Sequence, residues 1–493
     1  MSDIEIQSVD SVYVKALCEP SIAQELSDYF TFKVPGAQFT PAYRNKMWDG
    51  KIRLYNQHSQ KVYAGLAPYI QQFASEREYD FGTNLPNNLP IDDSEIQDYI
   101  NDLRLTAANK DIAPHAHQVD AITHALSRRR TLLLSPTASG KSLIIYVLMR
   151  RWLDENPDSK MLIIVPTISL VSQLHSDFAD YANKTDWNAD DMVHKIYGGQ
   201  EKTTNKRVVI STWQSIYKQS KKYFDQFSGV IGDECHQFKS QSLTNIMTKL
   251  SDCDFRVGLT GTLDGTKTHK LVIEGLFGST NRVVSTKQLM DKDLLSKLKI
   301  DCIRLKYPDE VCKECKKLKY SEEIDYLVTN QKRNEFITSL CGHAKGNSLV
   351  LFNYVDKQGK PLYDMITKKY PNRKVFYVSG ETDVTIREEI RKITEESENA
   401  IIVASYGTFS TGINIRRLHN VIFASPSKSR IRILQSIGRQ LRKSEHKETA
   451  KLFDIADDLT WKSHQNYTLK HFLERVRIYN EEKFDYKMIT IRQ

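Results

Sequence analysis

Residues 131–142 read TLLLSPTASGKS, and this stretch decides how the rest of the chain is interpreted. A short apolar run, typical of a buried strand, is followed by a loop of small residues and then by the helical pattern SLIIYVLM. A strand, loop and helix in this order form a P-loop, in which backbone N–H groups surround phosphate oxygens. The sequence therefore predicts a nucleotide site, with Ser135 in place of the first glycine of the usual pattern.

Two residues at the start of the helix carry the expected chemistry. Lys141 can reach the β- and γ-phosphates of a nucleotide, and the Ser142 hydroxyl can ligate Mg²⁺. The other loop residues contribute backbone contacts. We therefore expect ATP and Mg²⁺ to be bound by Ser135, Pro136, Thr137, Ala138, Ser139, Gly140, Lys141 and Ser142.

The composition is typical of a globular protein with a polyanionic partner. The chain has 493 residues, enough for three or four domains, of which 40% are hydrophobic and 27% charged. Its net charge is +9, and residues 416–451 hold ten Lys and Arg against two Glu. A basic surface favours nucleic acid, although many basic proteins bind none, so motifs are needed beside the charge.

Segments for targeting or covalent cross-linking are not evident. No apolar run reaches the roughly 18 residues of a membrane span, and the acidic start MSDIEIQ does not resemble a signal peptide, so we expect a cytoplasmic protein without a membrane partner. The seven cysteines are scattered and odd in number, which favours reduced thiols. For Cys312 and Cys315, the one close pair, we expect surface thiols on a Lys-rich helix rather than the alternative, a zinc site.

Apolar runs of up to six residues recur along the chain and predict the strands of two parallel sheets. The first set is 131–134, 161–165, 207–210, 227–231 and 255–259, and the second is 348–352, 374–378, 400–403, 421–423 and 452–455. Helical spans between the strands favour an α/β architecture with two RecA-like motor lobes, of which only the first carries a P-loop.

Domain limits follow from changes in this pattern. Residues 1–90 form a small N-terminal α+β domain with a helix near 21–30, linked to the next domain by the Asn- and Pro-rich segment 81–96. Lobe 1 is expected over residues 91–285 and lobe 2 over 286–460, with the Lys-rich segment 264–300 as their link. A helical C-terminal extension is expected over 461–493.

The acidic pair Asp233 and Glu234 follows the apolar run 227–231, at the predicted end of a strand. In a sheet that also carries a P-loop, this position lies beside the nucleotide phosphates. We expect Asp233 to hold Mg²⁺ and Glu234 to orient the attacking water, so that two carboxylates divide metal binding from base chemistry. As a lone motif, the same residues could form a helix cap or a turn.

These motifs stand in the order found in superfamily 2 helicases, and the chain resembles the DExH type of this family from Gln118 to Arg442. The resemblance assigns His236 to the acidic box DECH, Gln118 to adenine recognition, and Gly412, in the stretch 405–414 (SYGTFSTGIN), to the ATP site. It also assigns nucleic-acid contacts or coupling roles to Pro166, Thr167, Ser211, Thr212, Thr260, Thr262 and Thr408.

The segment 435–442, QSIGRQLR, resembles the arginine-finger motif of the same family. Arg439 and Arg442 would stabilise the charge on the transferred γ-phosphate only when the lobes close, which makes hydrolysis depend on closure. In isolation, both arginines could belong to a basic helix face. Gln440 stands at a position that is often small in this family.

The stretch WDGKIRLYN, the DECH box and the chain length resemble the recombination helicases of T-even bacteriophages. This resemblance implies an ATP-dependent DNA helicase or translocase, expected to be monomeric and located in the host-cell cytoplasm, that acts on branched DNA such as replication forks, Holliday junctions and R-loops. An RNA helicase, or an ATP-gated clamp that does not unwind, shares the same motifs and is an alternative. A restriction-enzyme motor is disfavoured because no nuclease carboxylate cluster stands out.

Residues 32–63 combine cations and aromatic side chains in an otherwise acidic N-terminal domain. Six Lys and Arg occur there with one acid, Asp49, and six aromatic residues are interleaved with them. Aromatic faces beside cations are typical of surfaces that stack on exposed bases, so we predict DNA contacts by Lys46, Trp48, Lys51 and Arg53. The alternative is that the aromatic residues form the core of this domain and the cations its solvated rim.

Overall fold

The computed structural model describes residues 2–34, 36–86, 88–408, 415, 417–427, 429–441 and 447–493. The chain forms two compact units. The first unit is Met1–Ser135 with Ser139–Val284, and the second is Pro136–Ala138 with Ser285–Gln493. Each unit contains one seven-stranded parallel sheet, and the first also contains a small mixed sheet, so the predicted fold class is confirmed.

The N-terminal domain is built on a mixed five-stranded sheet. Its elements are β1 Ile4–Ser8, β2 Tyr13–Cys18, α1 Pro20–Tyr29, β3 Thr31–Lys33, α2 Pro41–Arg44, β4 Lys51–Arg53, β5 Tyr55–Asn56, β6 Lys61–Tyr63, α3 Ala67–Glu76 and β7 Phe81–Thr83. The sheet order is β5-β6-β2-β1-β7, whereas β3 and β4 form a separate hairpin. The predicted helix near 21–30 is confirmed as α1, which begins with Pro20 because the first helical position needs no N–H donor.

The first unit continues with a sheet of order β12-β13-β11-β14-β15-β10-β16, in which all neighbours are parallel. Its elements are α4 Asp93–Asp102, β8 Thr106–Ala107, β9 Lys110–Asp111, α5 Ala116–Arg128, β10 Arg130–Leu134, α6 Lys141–Glu155, β11 Met161–Val165, α7 Ile168–Tyr181, α8 Ala189–Met192, β12 Val193–Ile196, β13 Val208–Thr212, α9 Trp213–Ile216, α10 Lys221–Phe224, β14 Gly229–Gly232, α11 Gln241–Lys249, β15 Phe255–Thr260, α12 Lys267–Phe277 and β16 Thr280–Arg282. Every residue of β11, β13, β14 and β15 is buried, because helices cover both faces of a parallel sheet.

The second unit repeats this architecture, with the parallel sheet order β19-β20-β18-β21-β22-β17-β23. Its elements are α13 Thr286–Asp291, β17 Lys297–Lys306, α14 Asp309–Cys315, α15 Tyr320–Thr329, α16 Gln331–His343, β18 Ser348–Phe352, a π-helix Val355–Gly359, α17 Lys360–Lys369, β19 Val375–Val378, α18 Val384–Glu396, β20 Ile401–Ser405, β21 Asn420–Phe423, α19 Arg430–Gln440, β22 Thr449–Asp458, α20 Tyr467–Glu481 and β23 Tyr486–Arg492.

Both segments that the sequence predicts as linkers contain regular structure. Residues 81–83 form β7, which pairs in parallel with β1. The segment 264–300 contains α12, whose polar start KTHK is followed by LVIEGLF, and all seven of these residues are buried. In the C-terminal extension, the predicted helix is followed by β23, which pairs with β17 at the sheet edge.

One apolar core serves both the N-terminal domain and one face of the first large sheet. Ile6 and Phe73 of the small domain belong to the same buried cluster as Leu132, Leu271 and Phe277. A second cluster fills the other face, between α5, α6, α7 and the sheet. The small domain is therefore not closed by a core of its own.

The seven cysteines are free thiols. Cys312 and Cys315 are buried in the core of the second unit, so the expectation of surface thiols is wrong; α14 turns both of them inward while its lysines face solvent. Among the described residues, no group of three or more His, Cys, Asp or Glu is placed to hold a metal ion. No helix in the described part of the chain is long and apolar enough to cross a membrane.

Candidate nucleotide site and nucleic-acid interface

The predicted P-loop connects β10 to α6. Gly140, the residue before the helix, has a φ of +83°, a conformation that favours glycine. A Cβ atom at this position would lie 2.0 Å from the Gln118 side-chain nitrogen, so the Gln118 amide would have to move to admit one. Ala138 also has a positive φ, and it is exposed, whereas Pro136 and Thr137 are half-buried. Lys141 is the first residue of α6.

Ser135 uses its side chain inside the loop, which a glycine could not do. Its hydroxyl lies 2.5 Å from the Ser139 hydroxyl, its N–H donates to the Thr260 carbonyl at 2.9 Å, and its own carbonyl accepts from the Lys141 ammonium at 3.4 Å. Ser135 and Ser139 are both buried. The departure from the usual pattern therefore adds a hydrogen bond that holds the loop together.

The predicted adenine-reading residue, Gln118, lies against the P-loop. Its amide nitrogen donates to the Ser139 carbonyl at 3.2 Å, and its amide oxygen accepts from the His115 N–H at 2.8 Å. Adenine recognition by Gln118 stays a prediction. His117 was not predicted as a site residue, although it stands next to Gln118 in the sequence. Its Nε2 atom also contacts the Ser139 carbonyl, at 3.2 Å.

The acidic box follows β14, as predicted. Burial and the neighbouring Glu234 carboxylate raise the pKa of Asp233 to about 6, against the lowering effect of the Lys141 ammonium. Glu234 has the left-handed backbone conformation φ 52°, ψ 48°, which is uncommon outside glycine and occurs at functional sites. The Asp233 carboxylate accepts from the Glu234 N–H at 2.9 Å, which keeps the two acidic groups in a fixed relation.

The residues around Asp233 and Ser142 fit a divalent cation. A buried carboxylate next to a second acid is costly to ionise, and a bound cation would compensate that cost. The Ser142 hydroxyl is hydrogen-bonded to the Tyr181 hydroxyl, and an oxygen with two lone pairs can also ligate a metal. Oxygen donors of these two types are those that Mg²⁺ prefers.

His236 joins the acidic box to the next motif. Its Nδ1 atom lies 3.2 Å from Glu234 Oε2 and 3.1 Å from the Thr260 hydroxyl. The Thr260 hydroxyl also lies 3.1 Å from the Thr262 carbonyl. These four residues, which the sequence assigns to catalysis and coupling, form one connected chain.

The predicted nucleic-acid residues of the first unit lie at the carboxyl ends of neighbouring strands. Val165 pairs with Thr212, so Pro166 and Thr167 follow β11 at the sheet edge where β13 ends. Pro166 and Thr167 are half-buried, and Thr167 caps α7. Ser211 is buried and its hydroxyl donates to the Ile196 carbonyl at 3.3 Å, while the Thr212 hydroxyl lies 2.8 Å from that of Ser215.

In the second unit, the described site residues lie after β20 and in α19. The Thr408 hydroxyl, which is buried, lies 2.7 Å from that of Ser405. Arg439 is half-buried in the last turn of α19. The buried Gln440 amide donates to the carbonyls of His419 and Lys451, which explains why a small residue is not required there. Gly412 and Arg442 lie outside the described residues.

The aromatic residues of the N-terminal segment 32–63 divide into two groups. Tyr55 is buried, and Tyr63 stacks on Tyr13 with a centroid distance of 5.3 Å, so these belong to the core as the alternative reading expected. Phe39 is 69% exposed and Tyr43 is 41% exposed. The alternative that these aromatic residues form the core of the domain therefore holds for Tyr55 and Tyr63 but not for Phe39 and Tyr43.

The exposed aromatic residues lie in the same hairpin segment as the predicted DNA-contacting residues. Lys46 is exposed, Lys51 and Trp48 are half-buried, and the Trp48 indole N–H donates to the Lys51 carbonyl at 2.8 Å. Arg53 pairs with Asp49 at 2.5 Å, with both side chains about half exposed. We call the following set the hairpin surface: Phe39, Tyr43, Lys46, Trp48, Lys51 and Arg53.

Three protein families match separate parts of the chain. The family "DNA helicase UvsW, N-terminal" matches residues 3–84, "Type III restriction enzyme, res subunit" matches 111–265, and "Helicase conserved C-terminal domain" matches 331–444. The ATP-dependent DNA helicase uvsW of Enterobacteria phage T4 is 37% identical over 508 residues, which cover 99% of each chain.

Solved structures agree with these matches. The crystal structure of T4 UvsW has 36% sequence identity, a TM-score of 0.54 and 99% coverage of both chains. The DNA-bound Type ISP restriction-modification enzyme LlaBIII has 16% identity and a TM-score of 0.58, covering 78% of this chain and 32% of that one, and thus shares the fold.

Proposed function

Because this chain belongs to the UvsW family of DExH-type superfamily 2 helicases, we propose that it uses ATP hydrolysis to remodel branched DNA such as forks, four-way junctions and R-loops. It is an ATP-dependent helicase, and the branched substrate is the step that we add. The observation that carries this step is the hairpin surface, where exposed aromatic side chains stand beside cations. A branch point exposes unpaired bases next to duplex phosphates, and such a surface suits both.

Catalysis is assigned to residues of both units. Lys141 would bind the nucleotide phosphates, and Ser142 with Asp233 would hold Mg²⁺, which neutralises phosphate charge when it is bound. Glu234 would orient the attacking water, and Arg439 with Arg442 would stabilise charge that develops on the γ-phosphate. Gln118, residues 135–140 and Gly412 would complete the nucleotide contacts.

Coupling to nucleic acid is assigned to the strand-end residues. Pro166, Thr167 and Thr212 would contact the DNA backbone, supported by Ser211 and, in the second unit, Thr408. His236, Thr260 and Thr262 would pass the state of the acidic box to them through the hydrogen-bond chain described above. We also propose that the protein acts as a monomer in the host-cell cytoplasm and keeps the division into residues 1–90, 91–285, 286–460 and 461–493.

The test is ATP hydrolysis and strand separation measured side by side with single-stranded DNA, duplex DNA, a four-way DNA junction and RNA. We expect the junction to stimulate hydrolysis most and to be resolved into separate duplexes. Strongest stimulation by RNA would make the protein an RNA helicase. Hydrolysis without separation of any strands would make it an ATP-gated clamp, and either result overturns the proposal.

A further inference from the structure

We infer that the N-terminal domain is a fixed arm of the first large sheet, which carries the hairpin surface at a constant distance from the strand-end residues throughout the ATP cycle. This inference rests on the proposed DNA-binding role of the hairpin surface. The alternative is a hinged domain that closes on DNA. The contacts that exclude a hinge all lie within the first compact unit.

The first contact joins two backbones. A Cβ atom on Gly65 would lie 2.0 Å from the Glu274 carbonyl oxygen and 2.8 Å from that of Gly275. A Cβ atom on Gly275 would lie 2.9 Å from Cβ of Tyr63. The segment after β6 therefore rests directly on the backbone of α12. At Gly65 no side chain lies between the two backbones, and at Gly275 the Tyr63 side chain packs directly on the helix, so the two surfaces are closely packed.

The second contact is the buried Glu274 carboxylate, which accepts hydrogen bonds both from the small domain and from the first large sheet. Glu274, which is 1% exposed, accepts from the Tyr69 hydroxyl at 2.6 Å through Oε2. Its other oxygen accepts from the Thr280 N–H and hydroxyl at 2.9 and 2.6 Å. Lifting the small domain would take a donor from a buried charge, which is strongly unfavourable.

The third contact anchors the β1–β2 turn. The Ser11 N–H donates to the Ser251 carbonyl at 2.8 Å, and the Ser11 hydroxyl donates to Asp254 at 2.6 Å. The Ser11 carbonyl accepts from the half-buried Arg130 guanidinium of β10. Because the small domain is held both at this turn and at α12, it cannot rotate about one of these contacts without breaking the other.

Helix α12 also reaches the hairpin itself. The Lys267 ammonium, in its first turn, lies 5.5 Å from the ring centroid of Phe32 in β3 and 5.9 Å from that of Tyr29. The loop before α12 is held by Asp264, which accepts from Lys239 and from His269. Lys239 follows the acidic box by three residues, so the segment after this box contacts the loop before α12, and α12 contacts the hairpin.

The test is a distance between two spin labels, measured by pulsed electron paramagnetic resonance. Gln71→Cys in α3 and Lys222→Cys in α10 place exposed labels in the small domain and beside the large sheet. Cys18→Ser removes the one native thiol that is not buried. The full chain is measured alone, with a non-hydrolysable ATP analogue, and with the analogue plus a four-way DNA junction, and binding of each is verified in the same samples.

We expect one narrow distance distribution that is the same in all three states. A shift of about 5 Å or more, or a second distance on adding the analogue or the junction, would overturn the fixed arm. The label distance does not depend on strand separation. If the protein fails to unwind junctions, the proposed function is wrong, but the distance measurement still tests the fixed arm.

Thermal unfolding gives a second, independent answer. Tyr69→Phe removes only the hydroxyl that binds Glu274, so this variant should fold. For a fixed arm, we expect the small domain and the first large sheet to unfold in one transition, which shifts to lower temperature in Tyr69→Phe. Separate unfolding of the small domain before the sheet would contradict the inference.

Discussion

The Nδ1 atom of His236 lies 3.1 Å from the Thr260 hydroxyl, which connects the acidic box to the motif at the end of β15. A change at the acidic box on ATP hydrolysis can therefore reach Thr260 through a single hydrogen bond. Thr260 is fully buried, so bulk solvent does not reach its hydroxyl to replace a lost partner.

Removing this hydroxyl should uncouple hydrolysis from movement. Thr260→Val keeps the shape of the side chain, so we expect ATP turnover within about threefold of the unaltered protein but strand separation reduced about tenfold, as expected for one lost hydrogen bond of about 1.4 kcal/mol. Thr260→Ser retains the hydroxyl and is the matched control. Equal losses of turnover and strand separation in Thr260→Val would assign the residue to catalysis instead.

The two acidic residues of the box should have separable roles. Glu234→Gln keeps the size of the side chain and loses the water-orienting charge, so we expect unchanged affinity for Mg²⁺-ATP with turnover reduced at least about 100-fold. Lys141→Ala serves as the comparison, since it removes the phosphate-directed cation and should abolish hydrolysis without unfolding the chain. Loss of nucleotide binding in Glu234→Gln would mean that the roles of Asp233 and Glu234 are misassigned.

The arginine fingers should affect rate more than binding. Arg439→Ala and Arg442→Ala remove cations expected to meet the phosphate only in the transition state, so turnover should fall about 100-fold or more while ATP affinity changes little. Arg477→Ala, which removes an exposed arginine of α20, is the control. Normal turnover in both finger variants would leave these arginines as surface charges.

The hairpin surface should supply salt-dependent DNA affinity. Lys46→Ala/Lys51→Ala/Arg53→Ala is expected to keep its melting temperature and basal ATPase, because exposed ion pairs such as that of Arg53 with Asp49 contribute little stability. Its affinity for a four-way junction should fall, with the slope of log affinity against log salt smaller by up to about 3. Arg77→Ala, in the same domain, is the control. Unchanged affinity would move DNA recognition away from the hairpin.

The contacts of Asp264 predict a pH-dependent stability. Burial raises the pKa of this carboxyl, but hydrogen bonds from Lys239, from the Thr266 N–H and from His269 outweigh it and lower the pKa to about 2. A pKa below the ordinary 3.8 stabilises the folded state above pH 3.8, and this contribution is lost as the pH falls towards 2.

We therefore expect Asp264→Asn to be destabilised by about 1 kcal/mol at pH 7, since solvent screens this partly exposed group, and urea unfolding measures the difference. The difference from the unaltered protein should be the same at pH 5 and should shrink at pH 3. A difference that stays constant down to pH 3 would show that the charge of Asp264 is not what stabilises the loop.

Sequence patterns predict best the elements that are buried on both faces. Strands 161–165 and 348–352 were predicted with the bounds that the structure shows, because every residue in them is apolar or small and buried. Strand β17, KLKIDCIRLK, was not predicted, because its lysines mask the run and its partners β22 and β23 lie far along the chain, with Ile300 paired to Leu452 and to Tyr486.

The order of the motifs also predicted which residues meet around the P-loop, but not how they meet. That Gln118 would bind the loop backbone with its amide, or that Ser135 would bond to Ser139, depends on side-chain directions that spacing does not specify. The aromatic spacing of residues 32–63 likewise gave no means to separate the exposed Phe39 from the buried Tyr55.

The backbone contact between Gly65 and α12 limits how this motor can be recombined with its relatives. At Gly65 the two backbones meet with no side chain between them, and at Gly275 the Tyr63 side chain packs directly on α12, so both surfaces must have matching shapes at once. A chimaera that takes residues 1–84 from another helicase would need residues 267–282 from the same donor. The N-terminal domain therefore cannot be exchanged between helicases by replacing the residues up to the domain boundary alone.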